Sequence, residues 1–85
     1  MAEKPGPRKT YVTVLVEIDK EGKKTPKEIV WKDGQHFEVT RVFSVARRAA
    51  MKVGGMGIRY EIEVNAHRTY VWEEEDRWFV EEKTG

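Results

Sequence analysis

The sequence predicts an all-β protein: a small, strongly bent antiparallel meander that closes into an SH3-like barrel of five to six strands. Three observations indicate this fold. Apolar and polar residues alternate along most of the chain, as in strands with one buried face. Residues typical of tight turns separate the alternating runs. Three Trp, three Tyr and three Phe supply a core for an 85-residue chain, which buries only about 60–65% of its unfolded surface. A five-stranded open sheet with a covering helix is the alternative.

Composition predicts a single domain over residues 10–82, with a flexible N-terminal arm at 1–9 and a flexible C-terminus at 83–85. The arm contains Pro5, Gly6 and Pro7 among charged residues and has no periodicity. The formal net charge is +1 although 36% of the residues are charged, so no overall field attracts the protein to nucleic acid or to a membrane. Cysteine is absent, and no apolar run has the length of a membrane span. We expect a cytoplasmic monomer.

The first strand is expected over residues 11–18, where the alternation is clearest. Its inward positions are Val12, Val14, Val16 and Ile18, and its outward positions are Tyr11, Thr13, Leu15 and Glu17. A polar connection over residues 19–26 follows, with Gly22 as its turn. Pro26 starts the second strand, at a position where no backbone N–H is required.

The next two strands form a hairpin over residues 29–39, and side-chain parity selects its register. A two-residue Asp33-Gly34 loop would divide the large apolar side chains between the two faces of the hairpin. A three-residue loop, with Gly34 left-handed, instead places Trp31 opposite Gln35. The resulting apolar face holds Ile29 opposite Phe37, together with Trp31 and Val39. Because burial favours a single apolar face, the sequence predicts the three-residue loop.

The alternation is disturbed where the third strand continues to Phe43, and a bulge near Thr40-Arg41 would correct it. Segment 44–53 then departs from the β pattern. Two alternatives stay open for it: a short helix capped by Ser44 and ended by the glycines that follow, or an ordered loop.

The last three strands are expected over residues 58–64, 68–73 and 77–81. Their inward positions are Ile58, Tyr60, Ile62, Val64, Tyr70, Trp72, Trp78 and Val80. A three-residue loop at 65–67 keeps this parity, and a two-residue turn is the alternative. The last hairpin is expected to turn at residues 74–76. That turn sets Trp72 opposite Trp78 on the inside and Glu73 opposite Arg77 on the outside.

Many of these positions together resemble a small family of uncharacterised bacterial proteins. The positions are Pro26, Ile29, Trp31, Asp33, Gly34, Phe37, Val39, Arg41, Val42, Gly54, Gly55, Arg59, Tyr60 and residues 78–81. The resemblance covers most of the chain after the N-terminal arm, and it implies a small β domain without an established activity. Thr40 departs from the pattern, which has an acidic residue before the arginine.

The candidate catalytic residues are too few for an enzyme. Nucleophilic catalysis requires a base beside the nucleophile, and the chain offers one serine, Ser44, and two histidines, His36 and His67. Two isolated histidines without cysteine have no metal-ligand spacing. Residues 54–57 lack the Lys-Ser/Thr pair that follows the glycines of a phosphate-binding loop. We therefore expect no catalysis, no metal and no cofactor.

Charge asymmetry supports a first functional hypothesis, a binding module for nucleic acid or another anionic partner. Residues 40–60 contain five basic residues and no acidic residue, and arginines beside a glycine-rich loop suit phosphate contact. The expected contact residues are Arg41, Arg47, Arg48, Lys52, Gly54, Gly55 and Arg59.

The second hypothesis is a protein-interaction or accessory module. Apolar residues at outward strand positions would form its contact surface unless another segment covers them. The expected partner surface is Tyr11, Leu15, Val30, Val71 and Phe79, together with the acidic hairpin around residues 73–76.

Overall fold

The computed structural model describes residues 7–49 and 56–83, and every regular element in these ranges is a strand, which confirms the all-β prediction. Seven antiparallel strands are present in this part of the chain. They are β1 (Pro7–Ile18), β2 (Lys24–Val30), β3 (His36–Glu38), β4 (Arg41–Ala49), β5 (Met56–Val64), β6 (His67–Glu74) and β7 (Arg77–Lys83).

The strands form one sheet in the order β3-β2-β1-β7-β6-β5-β4, which curls strongly into a half-barrel. Strand β1 joins the two parts of this sheet, because its first half pairs with β7 and its second half pairs with β2. The two edge strands, β3 and β4, are connected only by Val39 and Thr40. Since a chain of this length spans at most about 11 Å, the two edges must lie close together, and the sheet must curl.

The inner face of the curled sheet holds the main core. Its buried members are Ile29, Val39, Tyr60, Ile62, Val71 and Trp78, and half-buried Val12, Val14, Val16, Val42, Ile58, Val64 and Val80 pack against them. We use the term outer face for the side of the sheet turned away from this core. Trp72 and Phe79 form a second, smaller buried cluster on the outer face.

The β2–β3 hairpin has the register that parity predicts. The Trp31 N–H donates to the Gln35 carbonyl oxygen at 2.8 Å, and Ile29 lies opposite Phe37. Gly34 has a φ of 90°, a left-handed conformation that costs a residue with a Cβ roughly 1–2 kcal/mol. Glycine at this position therefore lets the three-residue loop close without backbone strain.

The predicted third strand is in fact two strands, so the count is seven rather than five to six. It divides at Val39-Thr40, where the chain leaves one edge of the sheet and enters the other. There the Thr40 N–H already donates to the Glu63 carbonyl oxygen of β5 at 2.9 Å. The bulge is also displaced from its predicted position, since it lies between Val42 and Ser44 within β4.

Residues 44–49 belong to β4, so the predicted helix or loop is wrong for this part of the chain. They pair with β5 as far as Ala49, which lies opposite Met56. This pairing gives the backbone hydrogen bonds that a helix of about two turns would form only marginally. The rest of the predicted helix or loop lies outside the described residues.

Both connections of β6 are one residue shorter than predicted. The β5–β6 connection is the two-residue turn Asn65-Ala66, and the β6–β7 connection is Glu75-Asp76. All four residues have positive φ, between 50° and 65°, as the two-residue hairpin turns of type I′ require. Trp72 consequently lies opposite Phe79 and not opposite Trp78 as predicted.

These shorter turns exchange the two faces of β6. Val71, predicted to face outward, is 0% exposed in the main core. Tyr70 and Trp72, predicted to face inward, lie on the outer face. Because two shifts of one residue restore the original parity, Trp78 and Val80 in β7 face inward as predicted.

The predicted terminal segments overlap the strands. Strand β1 begins at Pro7, so the last part of the predicted arm is strand, and residues 1–6 and 84–85 lie outside the described part of the chain. Ile18, a predicted inward residue at the end of β1, is 60% exposed. Within the described ranges there is no helix whose length and apolar character would let it cross a membrane.

Candidate nucleic-acid interface

Four arginines lie on the outer face of β4, β5 and β6. Directly opposed residues of antiparallel strands share a face, and Arg59 and Glu63 alternate along β5 with residues of the main core. Glu63 pairs with Arg41 of β4 on one side and with Arg68 of β6 on the other. Arg48 is diagonal to Arg59 across β4 and β5. Diagonal positions are about 7–8 Å apart, so these side chains form one continuous surface.

Three of the four guanidinium groups lie over two aromatic rings on this face. The Arg59 guanidinium carbon is 4.4 Å from the centroid of the Tyr70 ring. The guanidinium carbons of Arg68 and Arg41 are 3.9 and 5.6 Å from the centroid of the Phe43 ring. Contacts of this kind at exposed sites contribute about 0.5–1 kcal/mol. We name the set the arginine–aromatic patch; it consists of Arg41, Phe43, Arg48, Arg59, Arg68 and Tyr70.

The bulge in β4 determines which arginines belong to the patch. Val42 faces the core, and after it both Phe43 and Ser44 lie on the outer face, where the Ser44 hydroxyl donates to Glu61 at 3.2 Å. The alternation is shifted by one residue beyond this point. As a result Arg48 lies on the outer face, whereas Arg47 lies opposite Ile58 on the inner side.

Two glutamates lie within the patch, and both are engaged. Glu61 accepts the bond from Ser44 and lies 3.4 Å from the Arg68 guanidinium. Glu63 accepts a hydrogen bond from the Thr40 hydroxyl at 2.8 Å. Four arginines against two glutamates give the patch a net charge of +2. The patch is therefore suited to an anionic partner.

A buried aromatic pair lies beside the patch on the same face. The rings of Trp72 and Phe79 have centroids 5.8 Å apart and an interplanar angle of 6°. Gly57 lies close to Trp72: a Cβ on Gly57 would be 3.5 Å from the indole ring and 2.9 Å from the Glu73 carbonyl oxygen. The second distance is too short for a carbon atom, so a larger residue at this position would displace the backbone of β6.

The structure divides the predicted contact residues into three groups. Arg41, Arg48 and Arg59 share the outer face, with Arg41 and Arg48 toward opposite ends of β4. Arg47 is separated from them by the sheet. The remaining predicted residues, Lys52, Gly54 and Gly55, lie outside the described part of the chain.

Sequence reasoning missed Phe43, Arg68 and Tyr70 as members of the patch. Arg68 lies outside the basic segment at 40–60, and Tyr70 was assigned to the core because β6 was given the wrong parity. The alternation of Arg68, Tyr70 and Trp72, read with two-residue turns at both ends of β6, could have identified Arg68 and Tyr70. Phe43 has no such signal, because the bulge in β4 places it on the outer face.

The predicted partner surface is not continuous. Val71 and Phe79 are 0% and 1% exposed, so their prediction as surface residues is wrong. Phe79 does lie on the outer face, where the Tyr11 ring packs edge-on against it at 5.8 Å. Leu15 remains 50% exposed and Val30 is half-buried.

A polar cleft of about 490 Å³ lies beside the β6–β7 turn, and its lining comprises Arg47, Gly57, Ile58 and residues 73–76. Its buried carboxylate, Glu73, contacts the Lys24 amine and accepts a hydrogen bond from the Tyr60 hydroxyl at 3.4 Å. The bond to Glu73 raises the pKa of Lys24. Burial, and then the charge of Glu73, raise the pKa of Tyr60. Glu73 is thus engaged by Lys24 and Tyr60.

An apolar cleft of about 270 Å³ opens between the β2–β3 hairpin and strands β5 to β7. Its lining comprises Ile29, Trp31, Phe37, Val64, Thr69, Val80, Glu81 and Glu82. The Lys32 amine lies at the rim, 5.4 Å from the Trp31 ring centroid and 3.1 Å from Glu82. Ile29 and Val39 of the hairpin are buried as predicted, whereas Trp31 and Phe37, also predicted for the core, are half-buried in the wall of an open cleft.

His36 pairs with a single carboxylate, and neither histidine belongs to a larger group of candidate ligands in the described ranges. His36 Nδ1 lies 2.7 Å from a Glu28 carboxylate oxygen, and His67 begins β6. In the ranges 7–49 and 56–83 no three His, Asp or Glu side chains are arranged to hold a metal ion. Comparison with models of protein families gives no match to this chain, and comparisons with curated proteins and with solved structures give none either. Function is therefore inferred from the geometry of the patch.

Proposed function

We propose that this protein is a nucleic-acid-binding module that contacts phosphates through the arginine–aromatic patch. The proposal is based on one observation: Arg59 lies over Tyr70 at 4.4 Å and Arg68 lies over Phe43 at 3.9 Å, on the same face of the sheet. Stacking uses the flat face of a guanidinium group and leaves its in-plane N–H donors available for phosphate oxygens, apart from the Arg68 Nε, which lies beside Glu61. The rings also hold the arginines in position, which lowers the entropy lost on binding.

The low net charge of the chain does not conflict with this proposal. Exposed charges farther apart than about 8 Å are largely screened at physiological salt, so the local charge of +2 on the patch decides what binds there. Glu74, an acidic residue on the outer face at the end of β6, pairs with Lys9 at 2.8 Å. This pairing reduces its repulsion of a bound phosphate.

We further infer that the half-barrel is of the SH3-like type. The division of β1 between two partner strands and the two-residue link between the edge strands both support this assignment. Small β-barrels of related architecture, such as the OB-fold, bind oligonucleotides on a strand face and its adjoining loops. The position of the patch on β4 to β6 is compatible with that mode of binding.

Substitution of two adjacent arginines tests the proposed function. Fluorescence anisotropy would measure the binding of labelled single- and double-stranded oligonucleotides between about 50 and 200 mM salt. We expect Arg48→Ala to weaken binding and to reduce the slope of log K against log salt by about 0.7 for a single strand. We expect Arg47→Ala to leave both quantities unchanged, because Arg47 lies on the other side of the sheet.

This pair of variants is a matched comparison, since both remove one exposed guanidinium from the same end of β4. Urea denaturation of each variant would verify that the fold is retained. The proposal is contradicted if no oligonucleotide binds in a salt-dependent manner, or if the two variants lose the same affinity.

The protein-interaction hypothesis has less support. It required Tyr11, Leu15, Val30, Val71 and Phe79 to form one exposed surface, and Val71 and Phe79 are buried. Exposed Leu15 and half-buried Val30 are diagonal neighbours on β1 and β2, and a small apolar area of this kind is common on protein surfaces.

A further inference from the structure

We infer that the arginine–aromatic patch binds single-stranded nucleic acid, with unstacked bases lying against the Tyr70 and Phe43 rings. This inference rests on the proposed function and adds the class of nucleic acid that the patch selects. Three properties of the patch support it: the access to its rings, the distance between them, and the position of the arginines around them.

The first property is the access to the rings. Tyr70 is 40% exposed and Phe43 is half-buried, and both lie on the surface of a sheet. Arg59 and Arg68 each cover part of one ring, so a base would bind here by stacking on the guanidinium group and on the ring surface left exposed. In a duplex the faces of the bases are covered by the neighbouring base pairs, except at the two ends. A single strand leaves these faces free.

The second property is the distance between the rings. Phe43 belongs to β4 and Tyr70 to β6, with β5 between them. Adjacent strands are about 4.8 Å apart, so the backbones that carry the two rings are roughly 10 Å apart across the sheet. Successive bases along one strand of a duplex are separated by only about 3.4 Å. Two bases can therefore reach both rings only when the strand is extended and its bases are unstacked.

The third property is the position of the arginines. Arg59 and Arg68 lie over the rings at 4.4 and 3.9 Å, so an incoming base meets a stack of ring and guanidinium, and both are surfaces on which single-stranded bases stack. Arg41 and Arg48 lie toward opposite ends of β4. They are separated by about 20 Å at the rise of an extended strand, which suits phosphates on either side of the stacked bases.

The test compares nucleic-acid class and ring chemistry in one binding assay. Fluorescence anisotropy would use labelled oligothymidylate of about 12 nucleotides, within the site sizes of small β-barrels, and the duplex that it forms with oligoadenylate. We expect tighter binding of the single strand. Tyr70→Val should weaken single-strand binding by at least about fivefold, the loss expected for one base–aromatic stack. Tyr70→Phe retains the ring and should keep the affinity within about twofold.

Tyr11→Val is the matched control. Tyr11 is also an outer-face tyrosine, 41% exposed, with Arg77 stacked on it at 3.7 Å. Tyr11 belongs to β1, outside the patch on β4 to β6, and its hydroxyl lies 3.5 Å from the Glu74 carboxylate, so its loss should not change the affinity. Urea denaturation would verify the fold of all three variants. The comparison of single strand with duplex uses the wild-type protein and so does not depend on how any variant folds.

The possible outcomes separate this inference from the proposed function. Equal affinity for single strand and duplex, with binding still dependent on Arg48, would overturn the inference and leave the proposed function standing. Equal losses in Tyr70→Val and Tyr11→Val would also overturn it. An absence of salt-dependent binding to either form would reject the proposed function itself.

Discussion

The position of Val71 provides a direct test of the structure, because sequence parity and the structure place this residue on opposite faces of β6. If Val71 faced outward, Val71→Ala would remove two carbons from the protein surface and cost little. In the structure Val71 has no exposed surface and belongs to the main core. The substitution therefore removes two buried carbons.

The expected loss of stability follows from this burial. Transfer of buried apolar carbons to water costs about 0.8 kcal/mol each, which gives about 1.6 kcal/mol for two. Incomplete relaxation of the core around the void adds roughly 1 kcal/mol. The free energy of unfolding should therefore fall by about 2.5 kcal/mol. For a domain of this size the midpoint of thermal unfolding should fall by roughly 10–20 °C.

Equilibrium urea denaturation, followed by tryptophan fluorescence and by circular dichroism, would measure this loss. Val45→Ala is the control, because it makes the same chemical change at a strand residue that is 51% exposed. Its cost should be below about 1 kcal/mol, and both variants change strand propensity in the same direction. Equal costs for the two substitutions would refute the assigned register of β6.

Three further predictions concern a close contact, a turn and a surface carboxylate. Gly57→Ala should lower the free energy of unfolding by about 1–3 kcal/mol in urea denaturation, because the new Cβ would lie 2.9 Å from the Glu73 carbonyl oxygen. Ala66→Gly should raise it by roughly 0.5 kcal/mol in the same assay, since φ is 62° at Ala66 and glycine relieves that strain at some entropic cost. Hydrogen bonds from Thr10, then from Lys32, hold the pKa of Glu82 below its ordinary value of 4.5. The stabilisation from Glu82 is thus present above pH 4.5 and lost as pH falls through the lower folded-state pKa. The difference in the free energy of unfolding between wild type and Glu82→Gln should therefore shrink from pH 7 to pH 3.

The β2–β3 hairpin could be predicted because local chemistry and burial agree there. Gly34 allows a left-handed bulge, and only the three-residue loop places Ile29 and Phe37 on one face. The turns around β6 contain no glycine to mark them. Ala66 and Glu75 adopt positive φ, which residues of these types seldom do. Their turn partners Asn65 and Asp76 are of types that adopt it more often, but neither pair is as clear a signal as Asn-Gly or Asp-Gly. The pairing of β6 with both neighbouring strands imposes these conformations.

The candidate site could be predicted in part for a similar reason. The basic segment identified Arg41, Arg48 and Arg59, because a run of arginines without acidic residues is visible in one dimension. The sequence could not show that a bulge after Val42 turns Arg47 away from the others. A bulge depends on how two strands pair, and the pattern along a single strand does not contain that information.

The register of β6 determines which of its side chains face inward. Three-residue loops would bring Arg68 and Tyr70 toward the core and turn Val71 and Glu73 outward. The observed turns bury Val71 and Glu73 instead, and burying an unpaired carboxylate would be strongly unfavourable. Lys24 reaches Glu73 from β2 and pairs with it, so the observed register provides a partner for the buried carboxylate. The same register places Arg68 and Tyr70 on the outer face, where the proposed binding surface needs them. Lys24 therefore supports that surface from the inner face, because it stabilises the register by pairing with Glu73.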